Sequence, residues 1–287
     1  MRGMVAVLLG LWFGTAVASS VWAEPARRVV SLNPSLTAIL LALDGGAVLV
    51  GVDEFSARQQ PAVSELPRVG GLTNPSLEGV VALQPDLVVL VPSAEQRDFR
   101  GQLRSLGIPL LELDPLNFDQ VLETIAVLGA RIGREEQARA RAQAIRVVAD
   151  RMKDLAPGRA PVRTVLVLQR DPLFVVGSGS FVDDMLQLAG GRNLAAEAFA
   201  SPYPRVSREW LLAAAPDVLL DSDHDPESAA HYWSRWPSLP AVKTGRVVSL
   251  PEGQVTLPGP YLDRALELLA AALHERSRPP AASGPGG

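Results

Sequence analysis

The chain contains no cysteine. That absence excludes disulfide scaffolds, thiolate-bound zinc, iron–sulfur clusters, thiol catalysis and a thioether-linked lipid anchor. Histidine is almost as scarce: His224, His231 and His274 are the three in 287 residues, too few for a histidine metal cage. Basic charge is not in excess either. With 27 basic and 31 acidic side chains the net charge is −4, and such a chain lacks the positive surface that nucleic acid or anionic membrane selects. Catalytic signatures are missing too. There is no Gly-x-Ser-x-Gly elbow or convincing acid–base pair, and Gly177-Ser178-Gly179-Ser180 lacks the lysine of a phosphate loop. A cofactor-free protein that is not an enzyme is expected.

Hydrophobic residues make up 47% of the chain, enough to bury a core in one large domain or two medium ones. The first segment, residues 1–23, reads as a secretory signal. Arg2 precedes an uncharged apolar run from Val5 to Val17, and Val21-Trp22-Ala23 supplies small residues at the cleavage positions. That run is shorter than the roughly 20 residues of a membrane-spanning helix, and Pro, Gly or charge interrupts every later apolar stretch. Cleavage after Ala23 and a free periplasmic protein are expected.

The rest alternates β-branched runs with helical periodicity, which points to parallel α/β sheets. Over residues 27–116, strands are expected at 28–32, 48–52, 86–91 and 108–113, with helices near Leu36–Leu43, Leu77–Leu83 and Phe99–Leu106. Residues 117–156 carry no strand pattern. Asn117 suits a helix cap and apolar residues recur through Val121, Ile125 and Leu128, with hesitations at Gly129 and Gly133. This is either a peripheral helix pair or one backbone helix joining two lobes. Strand–helix alternation resumes over 161–276, and 277–287 is a Pro/Gly/Ala tail expected to be disordered.

The strongest signal is internal. Ser76-Leu77-Glu78 through Pro85-Asp86-Leu87-Val88-Val89 aligns with Ser207-Arg208-Glu209 through Pro216-Asp217-Val218-Leu219-Leu220 at a constant offset of 131, and Leu-x-Leu-x-Gly-Gly recurs at Leu41 and Leu186, an offset of 145. The repeat implies two similar Rossmann-like lobes joined by a long helical connector. A crevice at the carboxyl ends of their strands is the default ligand site.

Glu78 and Glu209 occupy the same place in both copies, just inside a helix that serine can cap. Two readings stand: favourable placement at the positive end of a helix, or matched carboxylates that a partner reads together. Phe55, Phe174 and Tyr203 lie where cleft loops are expected. The stretch Asp221, Asp223, Asp225, Glu227 with His224 and His231 fits neither a calcium loop nor a zinc helix, and reads as a solvated loop.

Arg28-Val29-Val30-Ser31-Leu32-Asn33-Pro34-Ser35, the Leu77–Val88 segment, Leu106-Gly107-Ile108-Pro109, Leu188-Ala189-Gly190-Gly191-Arg192-Asn193 and Pro204-Arg205-Val206-Ser207-Arg208-Glu209 resemble the helical-backbone substrate-binding proteins of ABC importers for cobalamin, ferric siderophores and haem. The last motif is most similar to the cobalamin-binding members. The resemblance implies a monomer that delivers its ligand to a membrane permease, and through it to an ATPase, with Glu78 and Glu209 meeting permease arginines. It places Phe55 at a ligand-stacking tyrosine, Phe174 at a phenylalanine and Tyr203 at a tryptophan. Leu72 replaces a cleft tryptophan, Gln254 an aromatic, and the cysteine pair of those members is missing. Cobalamin is the implied ligand. Arg58, Arg68 and Arg205 would suit an anionic siderophore instead, and Tyr203 or Tyr261 a haem iron.

Overall fold

The computed structural model describes residues 24–155, 160–225, 227–251 and 253–274. The expected signal segment and tail lie outside the described residues.

The first lobe runs β1 (Val29–Ser31), α1 (Pro34–Ala42), β2 (Leu49–Val52), α2 (Glu54–Gln59), α3 (Leu77–Ala82), β3 (Leu87–Leu90), α4 (Arg97–Ser105) and β4 (Leu110–Glu112). Its strands form a parallel sheet in the order β2-β1-β3-β4. β1 and β3 are fully buried, as befits central strands covered on both faces; β3 is all Val and Leu, and β1 ends on the buried Ser31.

Two helices follow, α5 (Phe118–Arg131) and α6 (Glu135–Leu155). Asn117 caps α5 by accepting from the Gln120 N–H, and Gln120 returns a bond to the cap. The stretch 117–156, read as one linking helix, is therefore divided. Gly133 takes φ +67°, and the Arg134 N–H turns back to the Gly129 carbonyl, a left-handed helix stop that favours glycine. A Cβ on Gly129 would stand 2.4 Å from that of Ala138, so the first glycine of the hesitation is where the two helices press together. The 21-residue α6 is the long connecting helix.

The second lobe runs β5 (Val162–Arg170), β6 (Leu173–Val175), α7 (Phe181–Leu188), β7 (Gly191–Asn193), α8 (Leu194–Ala198), α9 (Arg208–Ala214), β8 (Val218–Asp221), α10 (Ala229–Trp233), α11 (Pro240–Lys243), β9 (Val247–Ser249) and α12 (Leu262–His274). β7, β8 and β9 run parallel, with β5 pairing both β7 and β8. Thus β7-β5-β8-β9 repeats β2-β1-β3-β4. β6 is the departure: it folds back antiparallel on the far half of the nine-residue β5.

The repeat is physical. The Ser76 and Ser207 hydroxyls accept the N–H groups of Gly79 and Trp210 and cap α3 and α9. Both helices end on a left-handed non-glycine residue, Gln84 (φ 46°) and Ala215 (φ 48°). In each lobe an arginine at the entrance to the central strand covers that end. Arg28 donates to the carbonyls of Leu83 (2.6 Å) and Gln84 (3.1 Å), and Arg163 to those of Ala214 (2.6 Å) and Ala215 (3.4 Å). The glycine motif needs a one-residue correction. The left-handed positions are Asp44 and Gly190, and a Cβ on Gly45 or Gly191 would strike the Leu40 or Leu186 carbonyl. The spatial offset is 146, one more than the letters suggest.

One buried apolar cluster continues between lobes through α1, α5, α6, α7 and α12. Polar ties add to it: the Phe118 N–H donates to Asp184 at 2.9 Å, and Arg141 and Arg151 of α6 pair with Asp263 and Glu267 of α12.

Candidate functional site

The carboxyl ends of both sheets deliver their loops to one interlobe crevice. In the first lobe β2 runs into Asp53, which caps α2 by accepting from the Phe55 and Ser56 N–H groups at 2.9 and 3.0 Å. Phe55 therefore stands in the first turn of α2 with 40% of its surface exposed. The Arg58 guanidinium lies 4.7 Å from its ring centre. The Glu54 N–H donates to the Gly70 carbonyl, which ties α2 to the turn carrying the half-buried Leu72. Gln96 in turn donates to the Leu72 carbonyl. Phe55 and Leu72 thus share one wall.

Phe174 and Tyr203 come together in the second lobe. The segment 202–206 pairs antiparallel with β6: Phe174 bridges Arg205, and the N–H groups of Val175 and Gly177 donate to Pro204 and Pro202. Tyr203 and Arg205 point outward, while Pro204 and Val206 are buried. On such a ribbon Phe174 and Tyr203 are diagonal neighbours on one face, about 7–8 Å apart. Burial raises the Tyr203 phenol, and the Asp114 carboxylate, beyond the end of β4 in the other lobe, raises it further. The Tyr203 phenol is thus within electrostatic reach of the loop that follows β4 in the first lobe.

At another part of the crevice lies a cavity of about 780 Å³, lined by Ala38, Arg58, Gln59 and Gln60 from one lobe and by His224, Gln254, Thr256, Tyr261 and Arg264 from the other. Of the five residues expected at the ligand, Gln254 lines this cavity and Phe55 borders it through Arg58. Leu72, Phe174 and Tyr203 do not line it. Sequence reasoning missed the contribution of Arg264. The Tyr261 ring has the Arg264 guanidinium 4.8 Å and that of Arg141 6.0 Å from its centre. The three-residue spacing from Tyr261 at the start of α12 was the available signal.

Glu78 and Glu209 are exposed in the first turns of α3 and α9, at equivalent positions of the two lobes. The Glu209 backbone N–H and the Ser207 hydroxyl hold its carboxyl below the usual carboxylate range. The acidic stretch after β8 is less solvated than its sequence suggests. Asp221 is buried and accepts from Arg170 (3.0 Å) and from the Trp233 indole (2.5 Å). Asp223, Asp225 and Glu227 then continue as a ladder in which each backbone N–H donates to the carboxylate two residues earlier. Among the described residues no group of three acidic or histidine side chains is arranged to hold a metal ion.

Residues 29–253 match the family model described as periplasmic binding protein. The chain belongs to that family. Its members bind solutes and are not enzymes. The vitamin B12-binding protein of Salmonella choleraesuis is 31% identical over 243 residues, which are 84% of this chain and 87% of its own length. Among solved structures, the periplasmic vitamin B12-binding protein BtuF of Vibrio cholerae superposes with a TM-score of 0.76 at 28% identity, covering 87% of this chain and 97% of its own. The apo periplasmic haem-binding protein RhuT of a Roseiflexus species superposes equally well, with a TM-score of 0.76 at 29% identity and coverage of 88% and 100%. The likeness includes both lobes of this periplasmic binding protein. None of its described helices is long and apolar enough to cross a membrane.

Proposed function

We propose that this periplasmic binding protein captures a corrinoid, cobalamin, in the interlobe crevice and delivers it to the permease of an ABC importer. The observation that carries the reading is the exposure of an aromatic side chain on each lobe, Phe55 in the first turn of α2 and Tyr203 beside β6. A broad ring with a largely apolar face is gripped by such surfaces, and they are desolvated only when it arrives. Similarity to vitamin B12-binding proteins supports the same ligand. The protein would work as a monomer without a cofactor of its own. It would be exported to the periplasm by cleavage of residues 1–23.

Delivery needs a docking surface on each lobe. Glu78 and Glu209 lie at repeat-equivalent, exposed positions, and matched anions of this kind suit paired arginines on a permease. The continuous interlobe core resists wide hinge closure, so capture is assigned to side chains and loops with little lobe rotation.

A haem ligand is the second reading. Tyr261 sits in the cavity wall between two guanidiniums, a phenol with cations beside it that would suit an iron-bound ring bearing carboxylates. Purified protein titrated with cyanocobalamin, haemin and ferric chelates, followed by tryptophan fluorescence and calorimetry, separates the two. Saturable cyanocobalamin binding upholds the first reading. Haemin binding with a tyrosinate–iron absorption band, and none of cyanocobalamin, replaces it with the second.

A further inference from the structure

Asp53 is completely buried at the point where β2 gives way to α2. Besides the two backbone N–H groups it accepts, its carboxylate receives the Ser56 hydroxyl. Ser56 Oγ lies 2.9 Å from the Thr37 hydroxyl, which lies 2.8 Å from that of Ser31. Ser31, Thr37 and Ser56 are themselves buried. A closed polar chain therefore runs from the end of β1 through α1 to the first turn of α2, beneath the crevice wall. The other end of the helix is tied as well, because the Gln60 side chain donates to the Pro34 carbonyl at 2.9 Å.

A six-residue helix has little stability of its own. What holds α2 is its ties, and what it holds up is Phe55 with Arg58 stacked on it. Burying an acid so thoroughly is costly unless its hydrogen bonds compensate, and burial does raise the Asp53 carboxyl above its ordinary value against the pull of those bonds. The second lobe carries a related but different arrangement at the equivalent strand end: β7 leads directly into α8, whose buried cap Asn193 accepts from the Ala195 N–H and donates through its amide to the Val176 carbonyl and to Asp183.

We propose that Asp53 is the positioning residue of the first-lobe ligand wall, its buried carboxyl and the Ser56–Thr37–Ser31 chain holding α2 so that Phe55 and Arg58 stand ready in the crevice before ligand arrives. The assignment rests on the crevice being the ligand site. It does not depend on which ring-shaped ligand enters, since fixing an aromatic wall in advance lowers the ordering cost for any of them.

The test combines a mutant cycle with amide exchange on the full mature chain. Asp53→Ala removes the cap, Asp53→Asn keeps an oxygen for the Phe55 and Ser56 N–H groups, and Phe55→Ala removes the supported ring. With cyanocobalamin and haemin as probes, Asp53→Ala weakens whichever one binds about fivefold to tenfold, and Asp53→Asn stays within about twofold. Asp53→Ala costs clearly less in the Phe55→Ala background, where Arg58 alone is left for it to position, since coupled residues are not additive. Equal losses from Asp53→Ala in both backgrounds, or full affinity in Asp53→Ala, overturn the proposal. If the wild type binds neither probe, the ligand reading fails. Hydrogen exchange over residues 53–60 still decides the positioning role: faster exchange at Phe55 and Ser56 in Asp53→Ala upholds it, and unchanged exchange overturns it. Should Asp53→Ala not fold, Ser56→Ala breaks the same chain one link further on and is read by the same cycle.

Discussion

Replacing Tyr203 by alanine is the sharpest perturbation of the crevice. The side chain is 44% exposed, and an aromatic side chain offers about 200 Å² in all. A ligand can therefore newly cover about 90 Å² of it, worth about 2 kcal/mol at ~25 cal/mol per Å². Ring stacking adds about 0.5–1.5 kcal/mol, while covering only part of the exposed face subtracts a similar amount. The expected loss on Tyr203→Ala is thus about 1.5–2 kcal/mol, or roughly tenfold to thirtyfold in Kd. Folding is spared, because the backbone pairing of 202–206 with β6 uses Pro202 and Pro204 carbonyls and leaves the Tyr203 ring outside. Isothermal titration with cyanocobalamin, paired with thermal melts, measures both. Unchanged Kd with unchanged Tm would show that the second wall does not touch the ligand. A fallen Tm would show that Tyr203 supports the fold instead.

Three further outcomes are expected. The double substitution Glu78→Lys, Glu209→Lys leaves ligand affinity intact and abolishes uptake in cells relying on this protein, with each single variant milder; undiminished uptake by the double variant refutes docking through these carboxylates. Arg163→Ala uncovers the carbonyls at the end of α9, and its half-buried charged hydrogen bond is worth about 1 kcal/mol, so Tm should fall by roughly 2–4 °C; no shift would mean that water replaces the guanidinium without cost. Burial raises the Asp183 carboxyl, so the folded state holds its proton at a pH where the unfolded chain has released it, and this group's contribution to stability decreases as pH rises through that window. The Tm of the wild type relative to Asp183→Asn should therefore be higher near pH 4 than near pH 7, and a difference that is flat across that range refutes the burial argument.

Strand identity was legible where composition and environment agree. Val29-Val30, Leu87-Val88-Val89-Leu90 and Val218-Leu219-Leu220 are central strands because nothing polar interrupts them. The short elements α2, α8 and α10 were not legible, because five or six residues give too little periodicity and their ends are fixed by tertiary ties such as the Gln60 bond to Pro34. The glycine motif misled by one residue, since Asp44 adopts the left-handed conformation that its aligned counterpart in the letters, Ala189, does not. Tyr203 and Phe174 stood out in the sequence one at a time. Their pairing did not, because an antiparallel segment after β6 has no place in a pattern read as strictly parallel. Arg28 and Arg163 gave no paired signal, since their spacing of 135 differs from the 131 of the helix motif and only the fold brings them to equivalent carbonyls.

What the two lobes share and what they do not divides the labour of the molecule. The serine caps, the left-handed turns before Pro85 and Pro216, the arginine covers and the exposed glutamates recur in both. They build the scaffold and its two outward carboxylates, which a partner touching both lobes would meet at matched positions. The proposed ligand walls are where the lobes diverge. α2 and α8 both start on a buried cap at the end of an equivalent strand, but α2 carries Phe55 and Arg58, and the β6 ribbon has no counterpart in the first sheet. A ligand with two different faces needs two different walls, whereas a repeated wall would favour a symmetric guest. The core runs unbroken between lobes, so wide closure would have to break apolar packing. On the proposed function, selectivity would come from what stands on α2 and on the β6 ribbon, and exchanging those two segments alone would retune the ligand while leaving Glu78 and Glu209 unchanged.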